Sequence, residues 1–330
     1  MPKVVRFHQT GSPENLKIED LPTRKPGQNE VVLRVEAVGL NRAESLYYRE
    51  LYVEKPALPS RLGYEAVGVV TGVGPGVDQS WIGKRVATVP GFSQNQYGVL
   101  GEEAVVPAAS LAEFPARLSA AQAAAVWMQY VTAWGALVHF GKLAKGDFVV
   151  IPAASSSVGL AAIQIVKDAG AVSIATTRTS KKRSDLIAFG ADHVIATEEE
   201  DLVARIHQIT GGKGARLIFD PVAGPFVEKL AEAAAYHGII FEYGALSLQP
   251  TPFPFFHAIT KGLTLRAYML TEITSDPAAL AAVKQYVYER LADGRFTPKI
   301  AKTFPFEQTV EAYKFLESNA QVGKIVITVP

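Results

Sequence analysis

Residues 149–164 read VVIPAASSSVGLAAIQ. An apolar run gives way to small residues and then to apolar residues at helical spacing, the pattern of a buried strand, a tight turn and an opening helix. Ala153, Ser156 and Gly159 occupy the three small-residue positions of an A-x-x-G-x-x-G-like turn. The helix start after such a turn offers free N–H groups and a positive dipole end, which suit a pyrophosphate. Ser155, Ser156, Ser157, Val158 and Gly159 are therefore candidate nucleotide contacts. Ser156 replaces the glycine that lets backbone approach phosphate, and its hydroxyl is a possible donor in compensation. The competing reading is a strand–helix turn with no ligand.

The next strand bears on that choice. VSIATTRTSKKR places Thr177 and Arg178 at its end, followed by Lys181, Lys182 and Arg183, with no carboxylate before Asp185. An NAD site usually carries an acidic residue there for the ribose 2′-hydroxyl, whereas cations suit a 2′-phosphate. NADP is favoured over NAD, with Thr177, Arg178 and Lys182 as contacts.

Outward from this stretch, strands and helices alternate. DFVVIPA, VSIATT, HVIAT, ARLIFDPV and IIFEYGAL read as strands; SVGLAAIQIVKDAGA, SKKRSDLIAFGA, EEDLVARIHQITGG and PFVEKLAEAAAYHG read as helices. Alternation of this kind implies a parallel sheet with helices on both faces. Upstream, KVVRFH, EVVLRVEAVGL, EAVGVVTGVG, KRVATVP and EEAVVP are short Val-rich strands of a barrel or sandwich. Residues 119–140 read as helical, with Ser119 as N-cap. The last strand, KIVITVP, needs a sheet to pair with, which assigns the C-terminal segment to the N-terminal domain. The expected division is 1–122 with 266–330, and 123–265.

The chain of 330 residues is too long for one ordinary core. Its 48% hydrophobic and 20% charged residues mark a globular protein, and a net charge of +1 disfavours nucleic acid as main partner. The absence of cysteine excludes disulfides, thiolate catalysis and cysteine zinc sites, and fits a cytoplasmic location. Six scattered histidines show no ligand spacing, so no metal is expected. No apolar run reaches membrane length and no signal peptide is read.

VEAVGLNRAE, LGYEAVGVVTGVGPGV, AAVWMQYVTAWGAL, GKLAKGDFVVIPAASSSVGLAAIQIVKDAGA, GADHVI and GKIVI together resemble the zinc-independent quinone oxidoreductases, the zeta-crystallin type, of the medium-chain dehydrogenase/reductase superfamily. The resemblance runs nearly end to end. It implies an α/β protein with a GroES-like β-barrel-type catalytic domain closed by the C-terminal strand, plus a Rossmann doubly wound parallel sheet. It implies NADPH as cofactor, a small-molecule quinone or enone as acceptor, and a homodimer or homotetramer in which the last Rossmann strand, IIFEYGALS, meets its copy across a two-fold axis. Zinc-containing relatives carry Cys and His at the positions of Asn41 and Tyr64, and the cysteine lobe is absent here.

The resemblance puts Asn41 in the active-site asparagine role, with Tyr47, Tyr52 and Tyr64 as candidate pocket hydroxyls. Thr132 matches a threonine near the nicotinamide. Val222, after Asp220, borders it, and Gly244, Ala245 and Leu246 offer backbone to the carboxamide. Lys324 matches a G-K or G-R that reaches the cofactor. Glu44 stands where relatives often have Asp. Thr197 replaces a tyrosine that lies against the 2′-phosphate in relatives. Three other readings compete: an enoyl-thioester reductase of the same architecture, a cofactor-binding structural or regulatory protein, and a methyltransferase. The methyltransferase would want an acid where Arg178 stands.

Overall fold

The computed structural model describes all 330 residues, and the chain divides into two compact units, 1–128 with 274–330, and 129–273. The division falls inside the helix Trp127–Trp134.

In the first unit the strands are β1 (Lys3–Phe7), β2 (Leu16–Asp20), β3 (Glu30–Gly39), β4 (Ser60–Arg61), β5 (Glu65–Val73), β6 (Arg85–Thr88), β7 (Glu103–Pro107) and β8 (Leu111–Ala112). In the second they are β9 (Phe148–Ile151), β10 (Val172–Thr177), β11 (His193–Ala196), β12 (Ala215–Asp220), β13 (Ala234–Glu242) and β14 (Thr264–Ala267). The chain then returns to the first unit with β15 (Ile300–Pro305) and β16 (Lys324–Thr328).

The first unit holds a seven-stranded sheet in the order β15-β16-β3-β5-β6-β8, with β7 pairing β3, and a three-stranded sheet β2-β1-β4. The long β3 makes this possible. Its first half pairs with β7 through Glu30–Arg34, and its last residues pair with β16 through Ala37–Gly39. The C-terminal strand thus finds the N-terminal sheet, as expected. Val, Leu, Phe and Tyr side chains from both sheets share one core, which Tyr313 and Ile325 join from the C-terminal segment.

The second unit is a six-stranded parallel sheet in the order β11-β10-β9-β12-β13-β14. The chain runs outward from β9 in one direction and from β12 in the other. The reversal leaves a crevice at the C-terminal ends of these two strands, the usual ligand position in open parallel sheets. Short apolar strands are what burial on both faces demands, and Val150, Ile174, Ile195, Ile218 and Ile240 are all fully buried.

Three expectations are corrected. The helical run 119–140 is interrupted: one turn, Ala120–Ala123, precedes the helix Trp127–Trp134, and Gly135–Phe140 continues as a π-helix. The buried Glu65 carboxylate causes the first break by accepting the N–H groups of Trp127 and Met128, which in a continuous helix would bond back four residues. The helix read over PFVEKLAEAAAYHG ends at Ala233, and Ala234 already pairs with Ala215 in β13. Finally, β13 is interior. It pairs with both β12 and β14, so the run IIFEYGALS cannot meet a copy of itself. The open edge of the sheet is β14.

Candidate active site

In the second unit, β9 ends at Ile151 and Ala153 turns the chain with a left-handed φ of +47°. Ser156 N-caps the helix Ser157–Asp168, its Oγ accepting the Gly159 N–H at 3.1 Å. The serine therefore performs a helix-capping task, and accepting that bond leaves its hydroxyl proton available for donation. Gly159 is required by packing. A Cβ there would lie 2.6–2.8 Å from the Ala154 backbone, so helix and turn could not approach as they do.

At the end of β10, Arg178 is exposed and Lys182 half-buried, with Lys182 Nζ donating to Ser155 Oγ at 3.1 Å. The basic cluster thus reaches the turn itself. Burial, and then the neighbouring Arg178, hold the Lys182 ammonium below its ordinary range, opposed by Asp185. Arg183 is diverted to the Val194 carbonyl and to Glu200. Thr177 lends its carbonyl to Thr197 N–H at 2.9 Å, which ties β10 to the loop after β11. Two cations crowded beside a helix N-terminus repel each other and the dipole; a bound phosphate relieves both.

The loops leaving β12 and β13 are laced together. Tyr243 N–H donates to Asp220 O, Leu246 N–H to Pro221 O, and Ser247 N–H to Val222 O. The Leu246 N–H is consequently engaged, which leaves its carbonyl as the backbone group open to a ligand. Gly244 and Ala245 are exposed, and a Cβ on Gly244 would sit 2.8 Å from Pro221 O. Val222 is half-buried on the same turn, and Thr132 is buried in the helix Trp127–Trp134.

In the first unit, Asn41 is buried at the start of the helix Arg42–Tyr48. Its Nδ2 donates to Gly39 O at 3.0 Å and Glu44 Oε1 at 3.2 Å, and its Oδ1 accepts from Lys324 Nζ at 2.6 Å. Lys324 also pairs with Glu65 Oε2 at 2.7 Å, both side chains being fully buried. Glu44 accepts from Asn41 N–H, Tyr64 N–H and the Tyr313 hydroxyl. Burial pushes the Glu44 carboxyl up, while these donors and Lys324 pull against it.

Lys324 therefore lies inside the first unit with its ammonium held by Asn41 and Glu65. Tyr47 is likewise engaged. It is fully buried, donates to Asn95 Oδ1 at 2.6 Å and shares a 2.7 Å bond with Ser60 Oγ. Its hydroxyl holds a loop together.

Tyr64 and Tyr52 remain as neighbours. Burial foremost, then Tyr52, raises the Tyr64 hydroxyl, and burial raises that of Tyr52. Tyr64 packs on Phe92 and lies beside the carboxamide of the fully buried Gln94. Sequence reasoning missed Gln94, which opens the single helical turn Gln94–Tyr97 in a polar stretch with no periodic signal. It missed Glu65 as a partner for Lys324, and Glu242 beside Asp220 altogether.

The alcohol dehydrogenase GroES-like domain matches residues 27–116, and the zinc-binding dehydrogenase family matches 157–285. Quinone oxidoreductase 1 of Escherichia coli (strain K12) is 29% identical over 331 residues, spanning 98% of each chain. The crystal structure of Escherichia coli quinone oxidoreductase complexed with NADPH superimposes with a TM-score of 0.91 at 29% identity over 99% of each chain. A structure described as an NAD-dependent alcohol dehydrogenase, 31% identical, superimposes with a TM-score of 0.90 over 99% of this chain and 100% of its own. The chain belongs to the zinc-independent quinone oxidoreductases of the medium-chain dehydrogenase/reductase superfamily.

One matching domain family is described as zinc-binding, but this oxidoreductase does not supply a zinc donor set. It has no cysteine, and no three His, Asp or Glu side chains group where a metal could be held. NADPH, in contrast, fits the residues present: a tight turn closed by Gly159, a capped helix start, and a pair of cations beside it. No helix is long and apolar enough to cross a membrane.

Proposed function

We propose that this chain is an NADPH-dependent reductase delivering hydride to a small quinone or α,β-unsaturated carbonyl. The observation that carries the reading is the contact of Lys182 with Ser155 beside Arg178, which brings cations to the nucleotide turn with no carboxylate between. Bound NADPH supplies the hydride. The turn Ser155–Gly159 holds the pyrophosphate through helix N–H groups, and Arg178 and Lys182 hold the 2′-phosphate. Thr132, Val222, Gly244 and Ala245 flank the nicotinamide end.

Within the first unit, Tyr64 and Tyr52, with hydroxyls raised by burial, stay protonated and are suited to donate a hydrogen bond rather than to act as bases. Asn41 caps the helix Arg42–Tyr48 that precedes Tyr52. An electron-poor acceptor accepts hydride with that much help, which suits a site built without a Lewis acid. The reading also includes a cytoplasmic homodimer. The open edge of β14 and the exposed Leu248, Phe253, Phe255, Phe256 and Ile259 support it.

Fluorescence titration of NADPH and NADH against wild type and Arg178→Ala tests the assignment. Losing a charge-assisted phosphate contact worth about 1.5–3 kcal/mol should weaken NADPH by roughly 10- to 100-fold and leave NADH nearly unchanged. Equal losses for both nucleotides would remove the 2′-phosphate role.

A further inference from the structure

The second unit holds a buried acid pair that the proposed mechanism does not use. Asp220 ends β12 and Glu242 ends β13, and the two are register partners in adjacent parallel strands. Their side chains consequently leave the sheet on the same face. Asp220 is fully buried, and its two oxygens accept the N–H groups of Val222 at 2.8 Å and Ala223 at 3.0 Å. Those bonds hold a strained turn, for Ala223 and Gly224 both adopt left-handed φ angles, +57° and +62°. The same turn is laced to 243–247 by three backbone bonds.

Glu242 lies against this anchor. Both of its carboxyl oxygens are buried, and no N–H or O–H donor of the chain reaches either. The polar group within hydrogen-bonding reach is the Asp220 carboxyl. Two carboxylates cannot face each other there without a cation, and none is available. From β14, Arg266 is in register with Phe241 and so lies on the opposite face, where it stacks on Phe140 and pairs with Glu272. Ala267 is the register partner of Glu242, and Tyr268 contributes its N–H to the Glu242 backbone carbonyl. From the end of β13, the buried Tyr243 hydroxyl has no partner, and its ring stacks on Phe219. His139, in the π-helix, packs at a tilt on Trp134 and edge-to-face with Phe140.

We infer that Glu242 is a positioning residue: it carries a proton, donates it to Asp220, and thereby holds the 221–224 and 243–247 loops in the form that receives the nicotinamide. The inference rests on the NADPH reading and deepens it. It makes nucleotide affinity sensitive to loss of that proton. Burial, and then the Asp220 charge, push Glu242 up to about 8, and burial raises Asp220 as well. The folded chain therefore keeps a proton that the unfolded chain releases near the ordinary carboxyl value. Stability contributed by the pair is present in acid and falls as pH rises from 4.5 through about 8.

The test is NADPH affinity by fluorescence titration from about pH 6.5 to about pH 9, on wild type, Glu242→Gln and Glu242→Ala, with the Tm of the nucleotide-free proteins over the same range and down to about pH 5. Glutamine retains an N–H donor for Asp220 and does not titrate. The expected result is a severalfold weakening of wild-type NADPH binding toward alkaline pH that Glu242→Gln abolishes. Glu242→Ala should bind weakly throughout. Wild-type Tm should fall as pH rises, and that of Glu242→Gln should not. Parallel pH profiles for wild type and Glu242→Gln would overturn the inference. Absence of NADPH binding at every pH would overturn the nucleotide reading and the positioning role together, while the nucleotide-free Tm profiles would still decide whether the pair shares a proton.

Discussion

Lys324 takes a full charge into the interior of the first unit, where Glu65 and Asn41 receive it. Desolvating an ion pair is costly, and removing one partner leaves the other buried and uncompensated. Lys324→Met should therefore lower unfolding free energy by about 3–5 kcal/mol in urea titrations, with NADPH affinity little changed where the protein remains folded. Adding Glu65→Gln should recover part of the loss, because the amide still accepts the Trp127 N–H without a stranded charge. A specific loss of NADPH affinity in Lys324→Met at unchanged stability would restore the lysine to the nucleotide site. Nothing local in GKIVI distinguishes these roles: whether a lysine is solvated, ligand-bound or buried depends on a glutamate 259 positions away.

Among elements, the strand–turn–helix at 149–168 is the one most completely legible. Its apolar run, its capping serine and its glycine are local signals, and each does locally what its chemistry suggests. Gly159→Ala tests the close approach. The added methyl meets backbone rather than a flexible side chain, so the helix must shift. Such overpacking costs typically about 1–3 kcal/mol, and NADPH affinity should fall with it. Thermal unfolding and nucleotide titration check both, and an unperturbed variant would mean the helix has room to slide. The segment 226–237 shows the opposite case. Alanine-rich AEAAAY favours helix by propensity, yet Ala234 is claimed by a strand because Ala215 offers it a parallel partner. His237 turns at φ +57° on the way to the regular pairing of Leu217 with Ile239. The helix break before Trp127 is of the same kind, imposed by a carboxylate from β5.

For the whole molecule, the proposed homodimer would use the unpaired edge of β14 and the exposed apolar side chains of 248–259. Phe256→Glu combined with Ile259→Glu should shift the protein to monomer in size-exclusion chromatography with light scattering, with each unit still folded by circular dichroism. An unchanged dimer would place its interface elsewhere, and a monomeric wild type would remove the proposal. The sequence by itself determined the layer pattern, the return of the last strand to the N-terminal sheet, the strand–turn–helix at 149–168 and the exclusion of any cysteine-based site. These follow from periodicity, small-residue spacing and residue inventory, which are local or compositional. Only the tertiary structure decided that Tyr47 and Lys324 are buried in networks, that β13 is interior, and that Glu242 confronts Asp220. Those outcomes depend on which distant side chains share a desolvated volume, and burial of charge is settled by partners that chain order does not reveal.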